Sequence, residues 1–148
     1  MAREAMIELK CVCEQKKISF LIDLLCNAGW TVFNDLGEIE YLPLGDDEDF
    51  CWQEEKKTYD ELKEILLLKQ QNDEFIGVNL FYSGTDQGIS FLGRNIDDVV
   101  ISININRKTI GEEIDSLTDF EWYFSRIIKV LHEEKSLSVS YKIEDFIG

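Results

Sequence analysis

"VVISININR", residues 99–107, alternates Val99, Ile101, Ile103 and Ile105 with Val100, Ser102, Asn104 and Asn106. That period of two is the pattern of a strand with one face buried and the other polar. Strands covered on one face only belong to antiparallel sheets more often than to parallel ones, which are buried on both faces. The same alternation recurs toward both ends of the chain. "MIELKCVC" sets Ile7, Leu9, Cys11 and Cys13 against Glu8, Lys10 and Val12, and "LSVSYKI" sets Leu137, Val139, Tyr141 and Ile143 against polar neighbours. "EFIGVNLFYSGTDQGISFLG" reads as two strands around a Gly-rich loop. "WTVF" and "EIEYLPL" flank Asn34-Asp35-Leu36-Gly37, residues suited to a hairpin turn, and "FCWQE" adds a short strand.

Between these strands the period changes to that of a helix. Ile18, Leu21, Ile22, Leu25 and Cys26 share one helical face, with Gly29 placed to end the helix. Thr58 and Glu61 have capping-box spacing ahead of a stripe of Leu62, Ile65 and Leu66. Thr118 and Glu121 repeat that spacing before "DFEWYFSRIIKVLHEEK", which should turn Phe120, Phe124, Ile127 and Leu131 inward. No βαβ alternation and no internal repeat is present. The expectation is a single α+β domain over residues 1–148, a mostly antiparallel sheet with about three helices packed on it and one face partly open.

At 148 residues and 45% apolar content, such a chain can bury roughly 70% of the surface it exposes when unfolded. Thirty acidic and fifteen basic residues give a formal charge of −15, beyond the magnitude of about 2–8 that keeps a small domain soluble. The regular apolar patterning argues against a disordered acidic tail. The four arginines, at 3, 94, 107 and 126, are dispersed, and phosphate binding requires clustered cations, so nucleic acid is disfavoured as a partner. Anionic membrane surfaces are disfavoured likewise. Neither a signal-like start nor a run of about 18 apolar residues occurs, which makes the cytoplasm the expected compartment. Cys11, Cys13, Cys26 and Cys51 are read as reduced core thiols, and no metal or cofactor is expected.

Catalytic templates fit poorly. Glu8-Leu9-Lys10 has Glu-x-Lys spacing on a strand but lacks the aspartate that would complete a nuclease metal site, and Glu61-Leu62-Lys63 lies on a helix where the two charges diverge. His132-Glu133-Glu134 lacks a second histidine, and the glycines of "FYSGTDQGISFLGR" have neither Walker nor Rossmann spacing. Asp46 to Asp49 offer hard oxygen ligands without the glycine and terminal glutamate of a calcium loop. The expectation is therefore a protein that is not an enzyme.

Charge is the remaining signal. Residues 35–64 hold twelve acidic and three basic side chains, leaving a net of −6 for all other residues. Within "LPLGDDEDFCWQEEKK", residues 42–57, one of only three tryptophans stands among six carboxylates. An aromatic anchor with a charged rim is a common composition of protein interfaces, so Asp46, Asp47, Glu48, Asp49, Trp52, Glu54 and Glu55 form the expected partner-binding surface. Concentrated negative charge speeds encounter with a basic protein.

In size, acidity and texture, through "LPLGDDEDFCWQEE", "FYSGTDQGISFLG" and "TDFEWYFSRII", the chain resembles bacterial immunity proteins of polymorphic and contact-dependent toxin systems. The resemblance implies a stoichiometric inhibitor that sequesters a cognate toxin domain, a nuclease above all. The alternatives are a DNA-mimic inhibitor of a host defence enzyme and a metal-assisted enzyme using Asp46 to Asp49.

Overall fold

The computed structural model describes residues 3–113 and 115–147. Its strands are β1 (Arg3–Val12), β2 (Trp30–Thr31), β3 (Ile39–Tyr41), β4 (Gln53–Glu55), β5 (Ile76–Tyr82), β6 (Gly88–Asn95), β7 (Asp98–Ile105) and β8 (Ser138–Ile147). They form one eight-stranded sheet in the order β4-β3-β5-β6-β7-β1-β8, with β2 added on β5. Every pairing is antiparallel, so the α+β expectation holds.

The helices are α1 (Ile18–Cys26), α2 (Tyr59–Gln71), α3 (Phe120–Arg126) and α4 (Ile128–His132). Alternate strand residues, among them Ile7, Leu9, Val78, Leu80, Phe91 and Ile101, join Leu21, Ile22, Leu25, Leu62, Leu66, Tyr123 and Leu131 from the helices in one buried core. The opposite face presents Glu8, Asn79, Ser90, Leu92, Ser102 and Glu144, none of them buried. One face is thus covered and one is open, as the period of two in β7 requires.

The capping box of α2 forms as its sequence suggests. Thr58 Oγ1 accepts from the Glu61 N–H at 3.1 Å, and the Glu61 carboxylate accepts from the Thr58 N–H at 3.0 Å. The Thr58 backbone N–H first, and the Thr58 hydroxyl second, hold the Glu61 carboxyl below its ordinary range.

Elsewhere, contacts distant in sequence override the local signal. Asp119, not Thr118, caps α3 by accepting from the Trp122 N–H. Thr118 is buried and bonded to Asp145 and Arg107 instead. The expected single third helix breaks at Ile127, whose φ and ψ are −120° and −66°. There the Trp30 indole N–H donates to the Arg126 carbonyl at 2.9 Å, and a side chain inserted into a helix ladder is an established cause of a kink. Phe124, expected to face inward, is 38% exposed, and Tyr123 is buried in the core instead.

The 34–37 turn forms, with Asn34 Oδ1 accepting from the N–H groups of Leu36 and Glu38. The hairpin, however, is reduced to one bridge between Phe33 and Ile39, and Trp30 and Thr31 pair with β5. The cysteines are all free; Cys11 is buried, Cys13 and Cys26 are partly covered, and Cys51 is exposed rather than part of the core.

Candidate protein-binding surface

The acidic segment is a loop from β3 to β4, and a buried cation organises it. Lys69 of α2 has no exposed surface. Its ammonium donates to the carbonyls of Pro43 at 2.8 Å and Asp46 at 2.7 Å, and to Glu74 Oε1 at 3.2 Å. Glu74 Oε1 also accepts from the Gly45 N–H at 2.8 Å. Desolvating an ammonium costs several kcal/mol unless its protons are satisfied, and here three oxygens take them.

Two of the expected interface residues are consumed by this architecture. Asp46 is buried, with one oxygen on the Phe50 N–H at 3.0 Å and the other on the Cys51 N–H at 2.7 Å. This clamp holds Phe50 at a positive φ of 51°, a region costly for a residue with a Cβ. Asp47 accepts from the Phe75 N–H at 2.9 Å and pairs with Arg94 at 3.0 Å. The Arg94 guanidinium lies 4.2 Å from the centre of the Phe75 ring, and the Phe50 ring is tilted against Phe75 at 5.7 Å between centroids.

The rest divide by sheet face. Glu54 stands opposite Glu40 in the β3–β4 pairing, on the open face, whereas Glu55 stands opposite Ile39, on the helix side. Glu55 pairs with Lys57 at 3.4 Å. The neighbouring Tyr41 hydroxyl is pushed above its ordinary pKa by burial first and by Glu55 second. Glu48, Asp49 and Glu54 are exposed.

Trp52 is 38% exposed, and its position answers why an indole sits among carboxylates. It lies over Gly77, where a Cβ would come within 3.0 Å of the Trp52 ring and 2.8 Å of Leu42. Gly77 registers with Leu92 on the open face. The indole edge therefore covers a glycine on the sheet while part of the ring stays exposed.

The open face adds acids that sequence spacing did not bring together. Glu40 accepts from Asn34 Nδ2 and Asn79 Nδ2, both at 2.8 Å. Ser90 Oγ continues the row, 2.7 Å from Asn79 Oδ1 and 3.1 Å from Asn104 Oδ1. Beside this ladder a depression of about 320 Å³ is lined by Asp35, Glu40, Glu54 and Asp86, with Phe81 and Ile105 on its floor and no lysine or arginine in its lining. The four acids come from a turn, two strands and the β5–β6 loop, so only strand register could have predicted their meeting.

Chemistry elsewhere is sparse. Among the described residues no three histidine, cysteine, aspartate or glutamate side chains are arranged to hold a metal ion. Burial pushes the Cys26 thiol up to about 11, which keeps it protonated at neutral pH and a poor nucleophile. No helix among them is long and apolar enough to cross a membrane. Compared with protein-family models, with curated proteins and with solved structures, the chain shows no significant match.

Proposed function

We propose that this chain is a non-enzymatic acidic binding protein of the cytoplasm that neutralises a basic partner, acting as an immunity protein toward a toxin nuclease domain. The observation that carries this reading is the surface formed by Glu48, Asp49 and Glu54, exposed beside the partly exposed Trp52, and continued over the sheet by Asp35, Glu40 and Asp86. Such a field raises the association rate with a cationic partner by about 10- to 1,000-fold, and the gain falls with salt. A half-exposed indole supplies the kind of anchor that dominates binding energy at protein interfaces. Asp46 and Asp47 contribute by shaping the loop, so the interface expected from sequence narrows to Glu48, Asp49, Trp52 and Glu54 and extends onto the open face.

The metal-assisted alternative has less support, because both Asp46 oxygens and one Asp47 oxygen already accept backbone hydrogens.

The test is calorimetric titration against the C-terminal domain of any secreted toxin encoded beside this chain. The expected result is stoichiometric binding with loss of toxin activity, weakened by salt. It should be lost in the Glu48→Lys, Asp49→Lys, Glu54→Lys triple variant, whose substitutions leave Asp46, Asp47 and Lys69 in place. Unchanged affinity in that variant would remove the surface from consideration, and catalytic turnover of any substrate by the wild type would remove the reading as a whole.

A further inference from the structure

The two edges of the sheet are unlike. β4 is three residues long and acidic, the protected sort of edge, because a short charged strand offers little for another strand to pair with. β8 is ten residues long, pairs with β1 without a register break from Ser138 to Ile147, and contains neither proline nor glycine. Its other side has no strand neighbour among the described residues. A long, regular, unpaired edge presents a row of backbone donors and acceptors to any second strand. Around it lie the exposed side chains of Phe124, Tyr141, Phe146 and Ile147, with Phe124 and Tyr141 packed edge to face at 5.6 Å.

We propose that β8 pairs with β8 of a second copy of this chain, joining the two sheets across a two-fold axis at Ile143. Charge selects this occupant and this register. Antiparallel pairing about Ile143 sets Lys142 opposite Glu144 of the copy, twice, and Val139 opposite its Ile147. It also keeps each helix-covered face aligned with the other, because the two residues of each pair point to the same side of their strands. Moving the axis to the neighbouring even positions would set Lys142 against Lys142 or Glu144 against Glu144, and like charges directly opposite destabilise a pair. Lys142 and Glu144 already touch within one strand at 2.9 Å, so the dimer places four alternating charges in one row.

The acidic loop between β3 and β4 does not oppose this contact. β8 itself carries one lysine and two acids, and the acidic loop lies at the far edge, six strand spacings away in the sheet order. At about 4.8 Å per spacing that separation is several times the roughly 8 Å screening length at physiological salt.

Sedimentation equilibrium of the full chain tests this directly. The wild type should show twice the 17.2 kDa monomer mass over the micromolar range. Lys142→Glu alone, or Glu144→Lys alone, should raise the dimer dissociation constant roughly tenfold or more by opposing like charges twice. The double variant K142E/E144K exchanges the signs and should restore the wild-type constant. Circular dichroism and the thermal midpoint confirm that each variant is folded, a control that matters for Lys142→Glu because residue 142 faces Glu8 across the β1–β8 pairing. A monomeric wild type overturns the proposal, whatever other extended chain is later found on that edge. So do single variants that remain dimeric or a double variant that fails to recover.

Discussion

Cys11 shows how burial of one atom becomes a property of the whole fold. Its side chain is 1% exposed on the core face of β1, and burial, with a smaller push from Cys13, raises its pKa from 9.0 to about 11. The folded state therefore holds this proton more tightly than the unfolded chain. Its stabilising contribution is complete below pH 9 and disappears as pH rises through 11. At about 1.4 kcal/mol per unit, the loss is of order 2–3 kcal/mol. Tyr59 acts in the same direction at higher pH, since burial and its hydrogen bond to Asp23 push its hydroxyl far above the usual range. Urea midpoints should stay level to about pH 8.5 and fall between pH 9 and 11, and the fall should be shallower in Cys11→Ala. An equally steep fall in that variant would assign the alkaline loss elsewhere. A thiol reagent at pH 8 should label the exposed Cys51 first and Cys11 only on unfolding.

At the scale of elements, the end of α2 joins helix geometry to the acidic loop. The Asp73 N–H bonds to the Gln70 carbonyl and the Glu74 N–H to the Lys69 carbonyl, the paired bonds of a Schellman motif. That motif requires a left-handed residue after the cap, and Asp73 fills it at φ 55°. Glycine would adopt the same conformation without the Cβ penalty. The Arg94 guanidinium, which reaches Asp73 from outside the helix end, donates to its carbonyl, a contact that survives the change. Asp73→Gly should therefore stabilise the protein by about 0.5–1 kcal/mol, read as a higher urea midpoint with unchanged slope; a lower midpoint would show that the aspartate side chain has a stabilising role of its own. The elements themselves were legible because period-two and period-3.6 patterns are local. The capping box of α2 was legible too, since Thr58 and Glu61 need only each other. The break at Ile127 was not, because its cause is an indole 96 residues away. The split of the acidic loop was equally hidden. Nothing in "GDDED" distinguishes Asp46 and Asp47, which bond Phe50, Cys51, Phe75 and Arg94, from Glu48 and Asp49, which remain exposed.

For the molecule as a whole, the excess of 30 acidic over 15 basic residues should give the fold and the proposed binding opposite responses to salt. Among the described residues six ion pairs are present, and four of them, Lys57–Glu55, Lys63–Asp23, Arg94–Asp47 and Lys142–Glu144, keep about a third or more of at least one partner's side chain in solvent. Exposed pairs contribute about 0–1 kcal/mol each, while self-repulsion from a net −15 acts on the entire compact state. Screening should relieve more repulsion than it removes attraction. Raising sodium chloride from about 20 to about 200 mM, which shortens the screening length from roughly 20 to 7 Å, should therefore raise the thermal midpoint of the free protein. Over the same range affinity for a basic partner should fall, because binding through Glu48, Asp49 and Glu54 uses the field that screening removes. Two titrations of one preparation, differential scanning calorimetry and binding calorimetry, separate the effects. A thermal midpoint that fell with salt would mean that ion pairs, not repulsion, govern the fold. An affinity indifferent to salt would mean that the partner is held by Trp52 and apolar surface, with the carboxylates serving only to keep the chain in solution.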